Sequence, residues 1–120
     1  MGFGQAIAAG FTNYFNFKDR ATRSAYWYFI LFLFLASIVA AVVDLALFEP
    51  KIIGPISGIF SLATFIPSLA LAVRRLHDID RSGWWVLLWL IPIIGAIILI
   101  VWACQPTAPQ PNRYGPPPAA

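Results

Sequence analysis

The chain has 120 residues and a formal charge of +3, which leaves room for one domain at most. Sixty per cent of the residues are apolar or aromatic and 11% are charged, whereas ordinary soluble domains carry about a quarter charged residues. So small a fold exposes much of its area and needs polar surface to stay in water, so the composition argues against a water-soluble protein. One cysteine, Cys104, excludes an intrachain disulfide, and with a lone histidine it argues against a structural zinc site.

Residues 2–16 come first. Phe3, Ile7, Phe11, Tyr14 and Phe15 recur at three- and four-residue spacing, which predicts a short amphipathic helix lying in the headgroup region. Gly4 and Gly10 weaken its helical propensity. Three apolar runs follow, at 26–48, 52–73 and 84–103. Each is close to the roughly 20 residues that a helix needs to cross a bilayer. Lipid admits only helices and closed barrels, and no in-out alternation is present. The expectation is an all-α integral membrane protein, 1–120 as a single membrane domain, with three transmembrane helices. Residues 104–120 carry Pro106, Pro109, Pro111, Pro116, Pro117 and Pro118, which predicts an extended, polyproline-like tail.

Lysines and arginines set the expected orientation. Lys18, Arg20 and Arg23 precede the first run, and Arg74, Arg75 and Arg81 separate the second from the third. With three crossings these share one side. Lys51, in the turn Glu49-Pro50-Lys51, and Arg113, in the tail, share the other. The N-terminus is then cytoplasmic and the C-terminus periplasmic.

The densest polar segment is Arg74-Arg75-Leu76-His77-Asp78-Ile79-Asp80-Arg81-Ser82-Gly83, followed by Trp84-Trp85. If the second helix continues past Val73, Asp78 lies one turn from Arg74 and Arg75. One reading is an interfacial anchor with an internal ion pair and an aromatic belt. The other is a site for phosphate or carboxylate, gripped by arginines.

In the second run, Gly54, Ser57, Gly58, Ser61, Thr64 and Ser68 form a stripe that continues through Ala72 to Arg75. Small residues let membrane helices approach closely. The stripe serves packing within the chain, a homo-oligomer face, or the lining of a polar path. Pro55 belongs in the first turn of that helix, and Pro67 should kink it and free the carbonyl near residue 63. Asp44 is the ionisable residue well inside a run, and a proton-relay role is weighed against a shallow, interface-reaching one. Pro92 and Gly95 should bend the third run. There is no basic helix with interleaved aromatics for nucleic acid, no nucleophile with a base and no paired carboxylates. No cofactor and no enzymatic activity are expected.

Three segments together resemble the bacterial DUF805 family of small inner-membrane proteins of unknown function. They are Phe15-Asn16-Phe17-Lys18-Asp19-Arg20-Ala21-Thr22-Arg23-Ser24-Ala25-Tyr26-Trp27, then Arg74 through Trp85, then Cys104-Gln105 with Asn112-Arg113-Tyr114-Gly115-Pro116. Asp19, Ala25 and the Pro/Gln spacing between Gln105 and Asn112 depart from the family's pattern. The resemblance implies a bacterial inner-membrane location and several spans, and no activity. Three crossings would hold the 74–85 segment and the Asn112, Arg113, Tyr114 motif on opposite sides. A third run that turns back at Pro92 and Gly95 would let them meet.

The expected function is non-enzymatic binding of anionic lipid headgroups or another membrane protein, in the bilayer, through Arg20, Arg23, Arg74, Arg75, His77, Asp78 and Arg81. The alternative is an oligomeric transporter or channel subunit assembled along the stripe of the second run.

Overall fold

The computed structural model of the chain describes residues 2–48 and 54–118. The turn Glu49-Pro50-Lys51 and the expected start of the second run at Ile52 lie outside the described residues. The protein is all-α, with α1 (Phe3–Thr12), α2 (Arg23–Leu47), α3 (Pro55–Asp78), a 3-10 segment (Gly83–Leu90) and α4 (Ile94–Ala103). Helices α2 and α3 are long and apolar enough to cross a membrane, and α4 is a shorter apolar helix.

Helix α2 starts at Arg23, before the apolar run itself, because the Thr22 hydroxyl accepts from the Ala25 amide and caps it. At 25 residues it is about 38 Å long, more than a hydrocarbon core of about 30 Å requires. Helix α3 begins with Pro55 in its first turn, as expected, and continues past Val73 to Asp78. Its N-terminus is capped from α2. The Asp44 carboxylate accepts from the amides of Ile56 and Ser57, each at 2.9 Å. These are two of the donors that a helix start leaves without an intrahelical partner, and the negative charge meets the positive end of the helix dipole. Gly54 is required there, since a Cβ would lie 2.2 Å from the Asp44 carboxyl carbon. The acid inside the first run thus has a structural partner, and the proton-relay reading loses its motive.

Helix α1 is shorter than the expected 2–16. It stops at Thr12, where the Asn13 side chain turns back to donate to the Ala9 carbonyl. Ala6 and Gly10 are its buried residues, and they pack on α2. A Cβ on Gly10 would sit 2.2 Å from the ring of fully buried Phe29. Phe3 and Phe11 flank this contact, edge-on to Tyr28 and Phe29. The glycine that lowers helix propensity therefore permits the close approach. Pro67 is buried inside α3, and the carbonyl that it frees, Ala63, accepts from the Tyr14 hydroxyl.

The third run is not the continuous helix expected over 84–103. Its first half is the 3-10 segment, and the chain then reverses at Ile91–Ile93 into α4. Ile93 has φ 67° and ψ −68°, and the Ile94 amide donates to the Pro92 carbonyl at 2.8 Å. That is a γ-turn of the strained hand at a β-branched residue. Gly95 makes room for the reversal, because a Cβ there would lie 1.7 Å from the Leu88 carbonyl oxygen. The two halves are about 16 Å and 15 Å long by their rises. Helix α4 consequently ends beside the start of α2, where the Trp27 indole donates to the Ala103 carbonyl at 3.2 Å. The tail therefore does not leave from the far end of the molecule.

Replacing Asp44 by Ala should lower stability by about 1–2 kcal/mol, the range for a lost N-cap, while Asp44→Asn, which keeps one acceptor oxygen, should lose less. Denaturant unfolding in detergent micelles measures both. Replacing Gly95 by Val should disrupt the reversal, read as faster proteolysis of the 84–103 region.

Candidate functional site

Asp78, the last residue of α3, is completely buried. Its carboxylate sits between two guanidinium groups, with Arg20 Nε 3.0 Å from Oδ1 and Arg75 Nη1 2.7 Å from Oδ2. Arg75 reaches it by the three-residue spacing along α3, and Arg20 arrives on the link between α1 and α2. That link is fastened to α3, with the Ala21 amide donating to the Arg74 carbonyl at 3.0 Å and Arg75 Nη1 donating to the Ala21 carbonyl at 3.2 Å.

One carboxylate neutralises only one of two buried cations. Backbone carbonyls face the rest. Arg20 donates through Nη1 to Gln110 and Gly115 and through Nη2 to Ala108 and to the Asp78 main chain, at 2.7–3.2 Å. With the Nε bond to Asp78, all five of its N–H groups have an acceptor. Arg75 donates to the carbonyls of Ala103 and Gln105 as well as to Ala21 and Asp78.

The tail residues that accept are Gln105, Ala108, Gln110 and Gly115, and each immediately precedes a proline. A residue before proline is pushed out of the helical region. The prolines themselves bring no competing N–H. The Pro-rich tail is thus a row of acceptors facing two arginines. The tail is folded against the protein, with an isolated bridge between Asn112 and Gly115.

The remaining residues of the expected site fall into two groups. Arg74 is buried and donates to the carbonyls of Asn13 and Asn16, closing the end of α1 onto α3. His77 is buried, with Nδ1 3.0 Å from the Asp19 carbonyl and 3.2 Å from that of Lys18. Two acceptors facing one ring nitrogen place a proton on Nδ1. Arg23 is exposed and donates to the Cys104 carbonyl. Arg81 is half-buried, with its guanidinium 4.0 Å over the Trp102 ring.

The tail motif meets this segment directly. Tyr114 stacks on His77 with centroids 3.8 Å apart, Asn112 Nδ2 donates to the His77 carbonyl at 3.0 Å, and Arg113 pairs with Asp80 at 3.2 Å on the exposed surface. The separation expected from three crossings is overturned, because the reversal at Ile93 returns the chain to this end. Within the second-run stripe, Thr64 is buried and bonds the Phe60 carbonyl. Gly54, Ser57, Gly58 and Ser68 are half-buried, and Ser61 is exposed. Sequence reasoning did not find the accepting carbonyls of 105, 108, 110 and 115. Each precedes a proline, which is the one mark that they share in the sequence.

Removing the Asp78 carboxylate leaves two guanidinium groups buried without a counter-charge. Asp78→Ala should cost about 3–5 kcal/mol. Ending the chain after Cys104 removes the Gln105, Ala108, Gln110 and Gly115 acceptors and should also lower the melting temperature. Arg113→Ala, which breaks an exposed pair, should change stability by less than about 1 kcal/mol. Thermal unfolding in one detergent ranks the three.

The profile of the DUF805 family, described as proteins of unknown function, matches residues 14–116. The inner membrane protein YhaH of Escherichia coli (strain K12) is 44% identical over 108 residues, covering 88% of this chain and 89% of the relative. The inner membrane protein YhaI of the same strain is 44% identical over 104 residues, covering 86% of each. No solved structure matches the chain. A match running from the end of α1 through the tail motif takes in every side chain around Asp78, and the chain belongs to the DUF805 family as an inner membrane protein with two candidate membrane-spanning helices.

Proposed function

We propose that this chain is a non-enzymatic membrane component that binds anionic lipid headgroups or a neighbouring membrane protein at the end built around Asp78, and that this end faces the cytoplasm with both termini. The observation that carries the reading is the sorting of cations. Arg20, Arg74 and Arg75 point inward onto carboxylate and carbonyl oxygens. Lys18, Arg23 and Arg113 stay exposed at the same end, with Arg81 half-buried beside them. A rim of cations around a centre whose hydrogen-bonding groups are already engaged suits phosphate or carboxylate arriving from outside. The orientation is supported by the positive-inside bias. Every lysine and arginine except Lys51 falls in the segments that converge at this end. On this reading the third run is re-entrant, each half about as long as one leaflet's share of a core of about 30 Å.

The alternative, an oligomeric transporter or channel subunit assembled along the α3 stripe, has exposed Ser61 as its polar contact. An increase in particle size in native-like lipid that Ser61→Leu abolishes would favour it.

Alkaline phosphatase fused to the C-terminus should be inactive, and the same enzyme inserted in the 49–51 turn should be active. An active C-terminal fusion overturns the orientation. In bilayer nanodiscs of phosphatidylcholine and phosphatidylglycerol, the quadruple Lys18→Gln, Arg23→Gln, Arg81→Gln, Arg113→Gln variant should lose both its enrichment of phosphatidylglycerol and its crosslinks to membrane partners. Retention of both ends the binding reading.

A further inference from the structure

A groove of about 830 Å³ lies between α3 and the 3-10 segment, within the roughly 300–1,000 Å³ typical of ligand sites. Phe65, Leu69 and Val73 form one wall, at four-residue spacing along one face of α3, and Leu87 and Leu90 belong to the other. Among the described residues, no lysine, arginine or acid lines it. An ionic head would enter without a counter-charge, so the groove suits an uncharged occupant.

Its polar groups are His77, Ser82 and Tyr114. His77 is 6% exposed. Its Nδ1 carries the proton and donates to the Lys18 and Asp19 carbonyls, which leaves Nε2 with a lone pair and no hydrogen. Nε2 makes no hydrogen bond among the described residues, yet no buried side-chain nitrogen or oxygen among them lacks a partner, so Nε2 keeps an open side. That side faces the groove, because a Cβ on Gly83, which lines it, would lie 3.5 Å from Nε2. A buried acceptor without a donor costs free energy, so an occupant that donates is favoured.

Rings surround this acceptor. Tyr114 is stacked on the imidazole with the two planes 5° apart. Phe17 and Trp84, which adjoin Lys18 and Gly83 in sequence, line the same groove. Such walls favour an aromatic head, in offset or edge-to-face contact. A phenolic hydroxyl is also a more acidic donor to imidazole than an aliphatic one. Beyond the head, the apolar wall from Val73 to Phe65 runs about 12 Å along the helix, room for an apolar chain.

We infer that this groove holds one lipid-soluble hydroquinone. Its ring hydroxyl donates to His77 Nε2, its ring lies against the aromatic side chains beside that nitrogen, and its chain runs along Phe65, Leu69 and Val73. The chain binds this molecule, and no redox step is assigned to it. The site uses none of the rim cations, so it stands apart from the headgroup reading and either can fail alone.

The sequence has one histidine, so nitrogen NMR of protein labelled in its imidazole reads this site alone. Nanodiscs of phosphatidylcholine, a lipid with no N–H or O–H donor, supply the bilayer. Decylhydroquinone, added without oxygen, should move the Nε2 resonance upfield, as for a hydrogen-bonded acceptor, and saturate at one molecule per chain. Decylquinone has the ring and chain but no O–H, and it should bind at least tenfold more weakly. So should decanol, whose hydroxyl is aliphatic. Leu87→Trp, at an exposed position on the groove wall, should remove the response and leave the Nδ1–H signal in place. His77→Phe, which keeps a ring against Tyr114, should lose the preference for hydroquinone over quinone. An Nε2 resonance that hydroquinone leaves unmoved, or one already protonated in the free chain, overturns the inference. Equal binding of decylquinone overturns the donor, and equal binding of decanol overturns the aromatic head. An undiminished response in Leu87→Trp overturns the groove.

Discussion

Two guanidinium groups share the Asp78 carboxylate in a place closed to water, and the rest of this end follows from that imbalance. A buried ion pair holds only when its remaining hydrogen-bonding capacity is met. Here a second buried cation adds a further positive charge. The residue is balanced by carbonyl dipoles, because charge-assisted bonds to neutral acceptors still contribute about 1.5–3 kcal/mol each. Those carbonyls come from the link before α2 and from the tail. Two stretches distant in sequence are thereby tied to the last turn of α3.

That requirement constrains the third apolar run. Arg75 takes the carbonyls of Ala103 and Gln105, so the chain must be back at the Asp78 end by residue 103. A straight helix over 84–103 would deliver it about 30 Å away. The reversal at Ile91–Ile93 resolves this at a local cost of about 1–3 kcal/mol for a β-branched residue at positive φ. Eight residues of 3-10 helix add weaker hydrogen bonding. The strain in the apolar turn and the order in the polar knot are therefore coupled, since the carbonyls of Ala103 and Gln105 reach Arg75 only through the reversal.

Much of this was legible from residue order. The long apolar runs, Pro55 in a first turn, the Arg75–Asp78 spacing and the freed carbonyl at Ala63 all depend on neighbours within a turn or two, where helix geometry decides. What was not legible depends on partners far along the chain. Twenty apolar residues have one composition whether they cross or return, and Pro92 with Gly95 marks a bend without giving its angle. Asp44 reads as an intramembrane acid until the amides of Ile56 and Ser57 are seen facing it. Gly10 reads as a weak spot in a helix until Phe29 fills the space above it. The tail reads as an extended, polyproline-like segment, and what it packs against stays hidden because its acceptors are backbone atoms.

The two acids at opposite ends of the helix pair also narrow where function lies. Asp44 holds the start of α3 through backbone amides, and Asp78 holds its end through arginines. Both carboxylates are buried and engaged in joining helices. The buried arginines are engaged with them or with carbonyls. A group already saturated by the fold cannot bind a second acceptor without breaking it. The cations left at the surface of this end are Lys18, Arg23, Arg113 and half-buried Arg81, of which Arg23 holds the Cys104 carbonyl, Arg113 holds Asp80 and Arg81 lies over Trp102. His77, Ser82 and Tyr114 line an otherwise largely apolar groove between α3 and the 3-10 segment. The fold turns Arg20, Arg74 and Arg75 inward to join its own segments and leaves Lys18, Arg23 and Arg113 at the surface, the cations that a group arriving from outside can reach without unmaking the knot around Asp78.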